Sequence, residues 1–148
     1  RTCGGHLHVS FTVDERNPSL EDMLLMVKTL DIFLGVPGIH LDKDIRRKHR
    51  YGKAGAFRVK RYGEFDGVEY RVLSNFWIKS EEFRKWAFNS IQNAITFLNR
   101  QDDDPVRSVT KQEPNVIHAI NNNDTELLSY FIARFPILLA NENNEVLL

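Results

Sequence analysis

The sequence predicts an α+β domain in which an antiparallel or mixed sheet is backed by helices. Short runs that alternate polar and apolar residues predict strands, and longer runs with apolar residues at helical spacing predict helices. Each predicted strand has one polar face, and long helices separate the strands, which is typical of this class. A chain of 148 residues suits one domain, so we expect residues 1–148 to form a single domain.

The first predicted strand lies in the run "CGGHLHVSFTV", from Cys3 to Val13. His6, His8 and Ser10 alternate there with apolar residues. Because successive side chains of a strand point to opposite faces, these three polar residues share one face.

The run "NPSLEDMLLMVKTLDIFLGVPG" predicts the first helix. Ser19 is the candidate N-cap, and Asp22 lies three residues later, as in a capping box. Apolar residues then recur at helical spacing. Gly35 and Pro37 predict that the helix ends after about four turns.

Two more strands are predicted in "AFRVKRY" and "GVEYRVLS", within a stretch that glycines divide into turns. Arg58 and Lys60 share one face of the first strand, and Glu69 and Arg71 share one face of the second. An unpaired buried charge costs roughly several kcal/mol. These faces are therefore expected to meet solvent or to line a cleft.

The C-terminal half is predicted to be helical on either side of a polar connection. Ser80 begins a long helix, and residues 101–114 form the connection. Residues 115–148 are predicted to be a helical segment whose last helix is capped by Asp124 and ended by Pro136. The buried stripe of the long helix is predicted to be Phe83, Ala87, Ile91, Ala94, Ile95 and Leu98.

Composition limits the classes of function. Lys plus Arg and Asp plus Glu number 20 each, so no overall field that would recruit nucleic acid or an anionic membrane is expected. The one cysteine, Cys3, cannot form an internal disulfide, which favours a reducing, cytoplasmic location. No apolar run is long enough to predict a membrane span.

The polar faces of the three strands carry two kinds of chemistry. Imidazole and carboxylate groups can bind a divalent cation, and Arg and Lys can hold phosphate or carboxylate oxygens. The glycines of "YGKAGAFR" would let backbone amides approach a phosphate, although the run matches neither the Walker A spacing nor the dinucleotide fingerprint. Such a set suits phosphoryl transfer from ATP to a carboxylate.

These runs also carry a family resemblance. "GGHLHVS" resembles the His-x-His-x-Ser strand of the carboxylate-amine ligase superfamily, which includes glutamine synthetase and γ-glutamylcysteine ligase. "RRKHRYGKAGAFRVKRYG" followed by "EYRVLSNFW" resembles its phage-type amidoligase type 2 branch, and the resemblance spans Gly4 to Trp77. It implies a glutamine synthetase-like catalytic half-domain. It also implies an ATP-dependent amidoligase that uses Mg²⁺ or Mn²⁺ and forms an amide or peptide-like bond through an acyl phosphate.

The resemblance assigns roles by position in the motifs. Arg58 and Arg71 match catalytic residues, and Arg71 also matches the residue that holds the acid substrate. The implied metal ligands are His6 and Glu69, and the implied nucleotide-binding residues are His8, Ser10, Lys53, Arg58 and Lys60, with Arg50 a weaker match.

Superfamily members have further metal-binding carboxylates on strands that precede the His strand, and this sequence begins at Arg1. We therefore expect it to be the C-terminal part of a larger ligase catalytic domain. The implied partners are a small-molecule or peptide carboxylate and an amine, with a homo-oligomer compatible with the superfamily. Neither a membrane nor nucleic acid is expected, and the location is the host cytoplasm if a phage encodes the chain.

Simpler interpretations remain open from the sequence. The two histidines could lie on the solvent face of a strand, and Glu69 and Arg71 could be an ordinary cross-strand ion pair. The basic run 46–61 interleaves cations with aromatics, so it could serve a non-catalytic module that binds nucleic acid or a virion partner. The sequence does not identify the acid, the amine or the assembly state.

Overall fold

The protein has an antiparallel sheet with helices packed on one face, which confirms the α+β prediction. The sheet order is β1-β3-β2, and both pairings are antiparallel. A computed structural model describes residues 4–42, 44, 51–100 and 104–134. The strands of this part are β1 (Leu7–Ser10), β2 (Phe57–Tyr62) and β3 (Phe65–Tyr70).

A tight hairpin connects β2 and β3. Residues 63–64 form its two-residue turn, in which Gly63 has a φ of 66°. Glycine adopts this conformation without steric cost, and turns of this kind match the twist of the flanking strands. As a result, β3 begins at Phe65 and ends at Tyr70, earlier at both ends than the predicted run that starts at Gly67. β1 is also shorter than predicted.

Helix α1 (Leu20–Leu30) begins as the sequence predicts. The Ser19 hydroxyl accepts a hydrogen bond from the Asp22 N–H at 3.2 Å, and the Asp22 carboxylate accepts one from the Ser19 N–H at 2.8 Å. This capping box satisfies two N–H groups that would otherwise lack partners at the start of the helix.

The predicted helix end at Gly35 and Pro37 is wrong. A π-helical turn, Asp31–Gly35, follows α1 and leads directly into α2 (Val36–Leu41). Pro37 falls in the first turn of α2 and does not end the helical run, which continues to Leu41. Gly35 permits close packing instead, because a Cβ there would lie 2.5 Å from Ile120 Cδ1.

The run Leu20–Leu41 is long and apolar enough to cross a membrane by length and composition, contrary to the sequence expectation. Of its most apolar window, 72% is buried inside the protein. A core helix of a soluble protein meets the same criterion, so the run is weak evidence for a membrane span.

In the C-terminal half, the predicted polar connection of residues 101–114 differs from the structure. The Ser80 hydroxyl caps α3 (Glu81–Leu98) as predicted. Most of the predicted polar connection is helical, because α4 (Pro105–Asn122) begins there with Asp104 as its N-cap and proline in its first turn. α5 (Glu126–Arg134) follows, and the predicted stop at Pro136 lies outside the described residues.

The predicted stripe of α3 is confirmed in part. Ala87, Ile91 and Ala94 are buried, whereas Phe83, Ile95 and Leu98 are only partly buried against the core. The α3 residues that are buried without having been predicted are Trp86, Ser90 and Phe97.

The two faces of the sheet have different surroundings. On one face, Leu7 pairs with Tyr70 and Val9 pairs with Val68, and none of the four is more than 5% exposed. α1 packs against β3 on this side, and α3 packs against α1. The opposite face carries the alternating polar residues of all three strands, as the period of two predicts.

The capping box gives a pH-dependent test. The hydrogen bonds from Arg16 and Ser19 lower the pKa of Asp22 from 3.8 to about 2. Its carboxylate therefore stabilises the fold above about pH 4, and this contribution is lost as the pH falls toward about 2. Asp22→Asn should lower the free energy of unfolding near neutral pH by about 1 kcal/mol, as measured by urea titration.

The difference between wild type and Asp22→Asn should shrink between about pH 4 and pH 2 and disappear below about pH 2. Glu21→Gln, an exposed change in the same turn, is the control and should shift stability by less than about 0.5 kcal/mol. A difference that persisted unchanged at low pH would contradict the assigned role of Asp22.

Candidate active site

The carboxylate of Glu69, on β3, is the centre of the polar face. The residue is only 4% exposed. Its Oε1 accepts hydrogen bonds from His6 Nδ1 at 2.8 Å and from Arg71 Nη1 at 2.5 Å. Lys60 Nζ lies 3.6 Å from its Oε2. These donors offset the cost of removing the carboxylate from water.

Strand register brings these groups together. Glu69 is opposite His8 on β1 and opposite Arg58 on β2. In the next row, Gly67 is opposite both Ser10 and Lys60. Because β3 is the central strand, its polar face receives side chains from both neighbours.

Glycine at position 67 allows β1 to approach β3 closely. A Cβ there would lie 2.2 Å from the backbone oxygen of Val9 and 2.7 Å from Ser10 Cα. Real Cβ contacts are not that short, so any larger residue would displace β1. The close pairing that places His6 and His8 beside Glu69 therefore depends on Gly67.

The charges of the cluster determine its protonation. Burial acts to raise the pKa of Glu69, but the hydrogen bond and charge of Arg71, with the charges of His6 and Lys60, outweigh it and the pKa is lowered. Burial lowers the pKa of His6, and the Arg71 charge adds to this against the opposing effect of Glu69. The cluster therefore favours an ionised Glu69 and a neutral His6 near pH 7.

Two tyrosines hold the histidines. The Tyr51 hydroxyl hydrogen-bonds His6 Nε2, and the Tyr62 hydroxyl hydrogen-bonds His8 Nδ1 at 2.7 Å. In neutral His6, Nδ1 donates to Glu69, so Nε2 is left to accept from Tyr51. The Arg71 guanidinium lies 5.3 Å from the centroid of the Tyr51 ring.

Two side chains from the helical layer hold the loop of residues 51–56 by hydrogen bonds. Asp31 Oδ2 accepts a hydrogen bond from the Gly55 N–H at 2.7 Å, and Asn121 Oδ1 accepts one from the Ala54 N–H at 2.8 Å. Asp31 Oδ1 also accepts one from the Tyr70 hydroxyl at 2.7 Å. The π-helical turn thus connects the core side of β3 to the loop that carries Tyr51.

The structure brings together most of the residues predicted for the site. His6, Lys60, Glu69 and Arg71 are in contact, and His8 and Arg58 lie in the same cross-strand row. Ser10 is exposed one row away, on the same face.

The other predicted cations are placed differently. Lys53 is exposed on the loop, and within the described residues it makes no contact with Glu69. The weaker candidate Arg50 and the first part of the basic run 46–61 lie outside the described residues.

His6 and Glu69 are the candidate metal ligands. In the described part of the chain no group of three or more His, Cys, Asp or Glu residues could hold a metal ion. Magnesium sites commonly use one or two carboxylates and complete the shell with water and substrate phosphates. Glu69 fits a site of that kind. His6 could join it by exchanging its Tyr51 contact for the metal.

Comparison with known proteins identifies the family of the chain. The family model of the phage phiEco32-like COOH-NH2 ligase type 2 matches residues 2–140. The chain belongs to this family. The family is one of carboxylate-amine ligases, as "GGHLHVS" and "EYR" predicted. The searches of curated proteins and of solved structures found no match.

Sequence reasoning missed four residues in or beside the candidate site: Tyr51, Tyr62, Asp31 and Asn121. A signal for Asp31 was present, because it is an acid on the buried stripe of a long apolar helix, one turn after Val27. No comparable signal marks the tyrosines. Tyr51 contacts His6 across a sequence separation of 45 residues, so only the tertiary fold brings them together.

Removing the charge of Glu69 tests the cluster. Glu69→Gln leaves Arg71 and Lys60 without their counter-charge, so the free energy of unfolding should fall by about 2 kcal/mol in urea titrations near pH 7. Because the folded pKa of Glu69 lies below its ordinary 4.5, the difference from wild type should shrink as the pH falls below about 4.5.

Glu64→Gln makes the same chemical change at an exposed turn and should alter stability by less than about 0.5 kcal/mol. Equal stability of the two variants would show that the cluster does not stabilise the fold.

Proposed function

We propose that the ligase is ATP-dependent and joins a carboxylate to an amine through an acyl phosphate. The observation that carries the proposal is the excess of positive charge around one buried carboxylate. Arg58, Lys60 and Arg71 share a face with Glu69, so three cations surround one anion. A surplus of cations on an exposed face suits the phosphates of a nucleotide.

The first step would transfer the γ-phosphoryl group. An oxygen of the substrate carboxylate attacks the γ-phosphorus, the bond to the β-phosphate oxygen breaks, and ADP leaves. Arg58 and Lys60 offset the charge that spreads over the transferring oxygens, and Arg71 orients the acid. Magnesium bound at Glu69 and His6 would supply further charge neutralisation when present.

The second step would form the amide. The amine attacks the acyl carbon, the carbon–oxygen bond to phosphate breaks, and inorganic phosphate leaves with that electron pair. The amine loses a proton to water or to a nearby base. The substrates would be small-molecule or peptide acids and amines, and the reaction would take place in the cytoplasm.

Two arginines of β2 provide a matched test of nucleotide binding. Arg58 faces Glu69, whereas Arg61 is three residues further along the strand, exposed, and beside Asp66. Arg58→Gln should weaken ATP binding about tenfold by calorimetry in the presence of Mg²⁺, because one charge-assisted hydrogen bond is lost. Arg61→Gln should change it by less than about twofold.

Equal weakening by both substitutions would mean that ATP responds to overall charge, which would contradict a site at Arg58. Steep salt-dependent retention on nucleic acid, with no ATP binding, would favour the binding-module alternative.

Hydroxylamine trapping, combined with identification of the nucleotide released, distinguishes an acyl phosphate from an acyl adenylate. It attacks acyl phosphates to give hydroxamates, so a panel of carboxylic acids with ATP, Mg²⁺ and hydroxylamine should yield hydroxamate and ADP together. Chelation of Mg²⁺ should abolish both products. Release of AMP and pyrophosphate instead would indicate an acyl adenylate and would contradict the proposed chemistry.

A further inference from the structure

We propose that a cavity among the helices binds a small multivalent oxyanion. The cavity measures about 350 Å³ and lies between the C-terminal end of α3, the first half of α4 and the end of α5. That volume is within the usual range for small-molecule pockets, about 300–1,000 Å³. It shares no residue with the candidate active site, so the proposal does not depend on the ligase mechanism.

The charge of the lining points to an anion. Four cations line the cavity, Arg100, Arg107, Lys111 and Arg134, and among the residues that the structure describes no acidic side chain lines it. Arg107 and Lys111 form no ion pair with any residue that the structure describes. Asp104, nearby in sequence, uses its carboxylate to cap α4 through the Arg107 N–H at 2.9 Å.

The spacing of two cations on α4 also favours a bound anion. Arg107 and Lys111 are four residues apart on α4, so they lie one turn apart on the same face. Like charges at this spacing destabilise a helix. A bound anion between them would replace this repulsion with attraction.

A buried amide provides the third and independent argument. Gln112 is only 3% exposed, and its Oε1 accepts a hydrogen bond from the Tyr130 hydroxyl at 3.1 Å. Among the described residues, no acceptor takes a hydrogen bond from its amide nitrogen. A buried donor without a partner is unfavourable, and an oxyanion in the cavity would supply the missing acceptor.

The Tyr130 ring connects the amide to the cations. It holds the Oε1 of Gln112 through its hydroxyl and lies under the Arg134 guanidinium, 5.4 Å from the ring centroid. The Gln112 amide and the Arg134 guanidinium are thus both held by one side chain. Such fixed donors lose little side-chain entropy when a ligand binds.

The ligand class follows from these features. Guanidinium groups bind the oxygens of phosphate and carboxylate in pairs, and several cations require several negative charges. We therefore expect a small molecule with two or more phosphate or carboxylate groups. Pyrophosphate and citrate represent the two sources of this chemistry.

The test is calorimetric titration of the full chain with pyrophosphate, with citrate and with sodium chloride. At least one multivalent probe should bind with a dissociation constant below about 1 mM, and chloride should not. The double variant Arg107→Gln/Lys111→Gln changes two exposed residues and should weaken that binding about tenfold or more. Which probe binds more tightly distinguishes a phosphate ligand from a polycarboxylate.

The matched control is Lys79→Gln/Arg84→Gln, which removes the same charge from exposed positions outside the cavity and should leave binding within about twofold. Because pyrophosphate can also bind the cations near Glu69, the titration is repeated in the Arg58→Gln background, where Arg107→Gln/Lys111→Gln should weaken binding by the same factor. Three results would overturn the proposal: no binding of either probe, binding unaffected by the cavity variant, or equal weakening by the cavity variant and the control.

Discussion

An ionised carboxylate at a buried position on a central strand must be surrounded by donors, and the arrangement around Glu69 satisfies that requirement. His6, just before β1, and Arg71, just after β3, donate to it, and Lys60 approaches from β2. Each donor is placed by strand register, so a shift of one residue in either pairing would turn these groups toward the core. The site and the sheet register are therefore mutually dependent.

The helical layer holds the loop beside this face through Asp31 and Asn121, and Asp31 also binds β3. Asp31 lies in the π-helical turn and binds both the Tyr70 hydroxyl, on the core side of β3, and the Gly55 N–H of the loop. Tyr70 precedes Arg71 and follows Glu69 along the strand. The same helix that fills the core thus fixes the loop that carries Tyr51 against His6. π-Helical turns often occur at functional sites, and this contact gives a physical reason for one here.

Local patterns predicted the shared polar faces, the capping box at Ser19 and the cap at Ser80, because each depends on neighbours within a few residues. The family resemblance implied metal-binding roles for His6 and Glu69 and a substrate-binding role for Arg71, and these roles stay predictions. The continuation past Gly35 and the helix at Pro105 were missed, because tertiary packing and a first-turn proline override the usual helix-stop signals. The Tyr51 contact depends on long-range folding, which no local pattern encodes.

We propose that the cations around Glu69 form the phosphate-binding face of an ATP-dependent ligase. A crystal structure of the chain with a non-hydrolysable ATP analogue and Mg²⁺ should show the phosphates against Arg58 and Lys60, with the metal on Glu69. A nucleotide bound elsewhere, with the contacts of Glu69 to Arg71 and His6 unchanged, would rule out this arrangement.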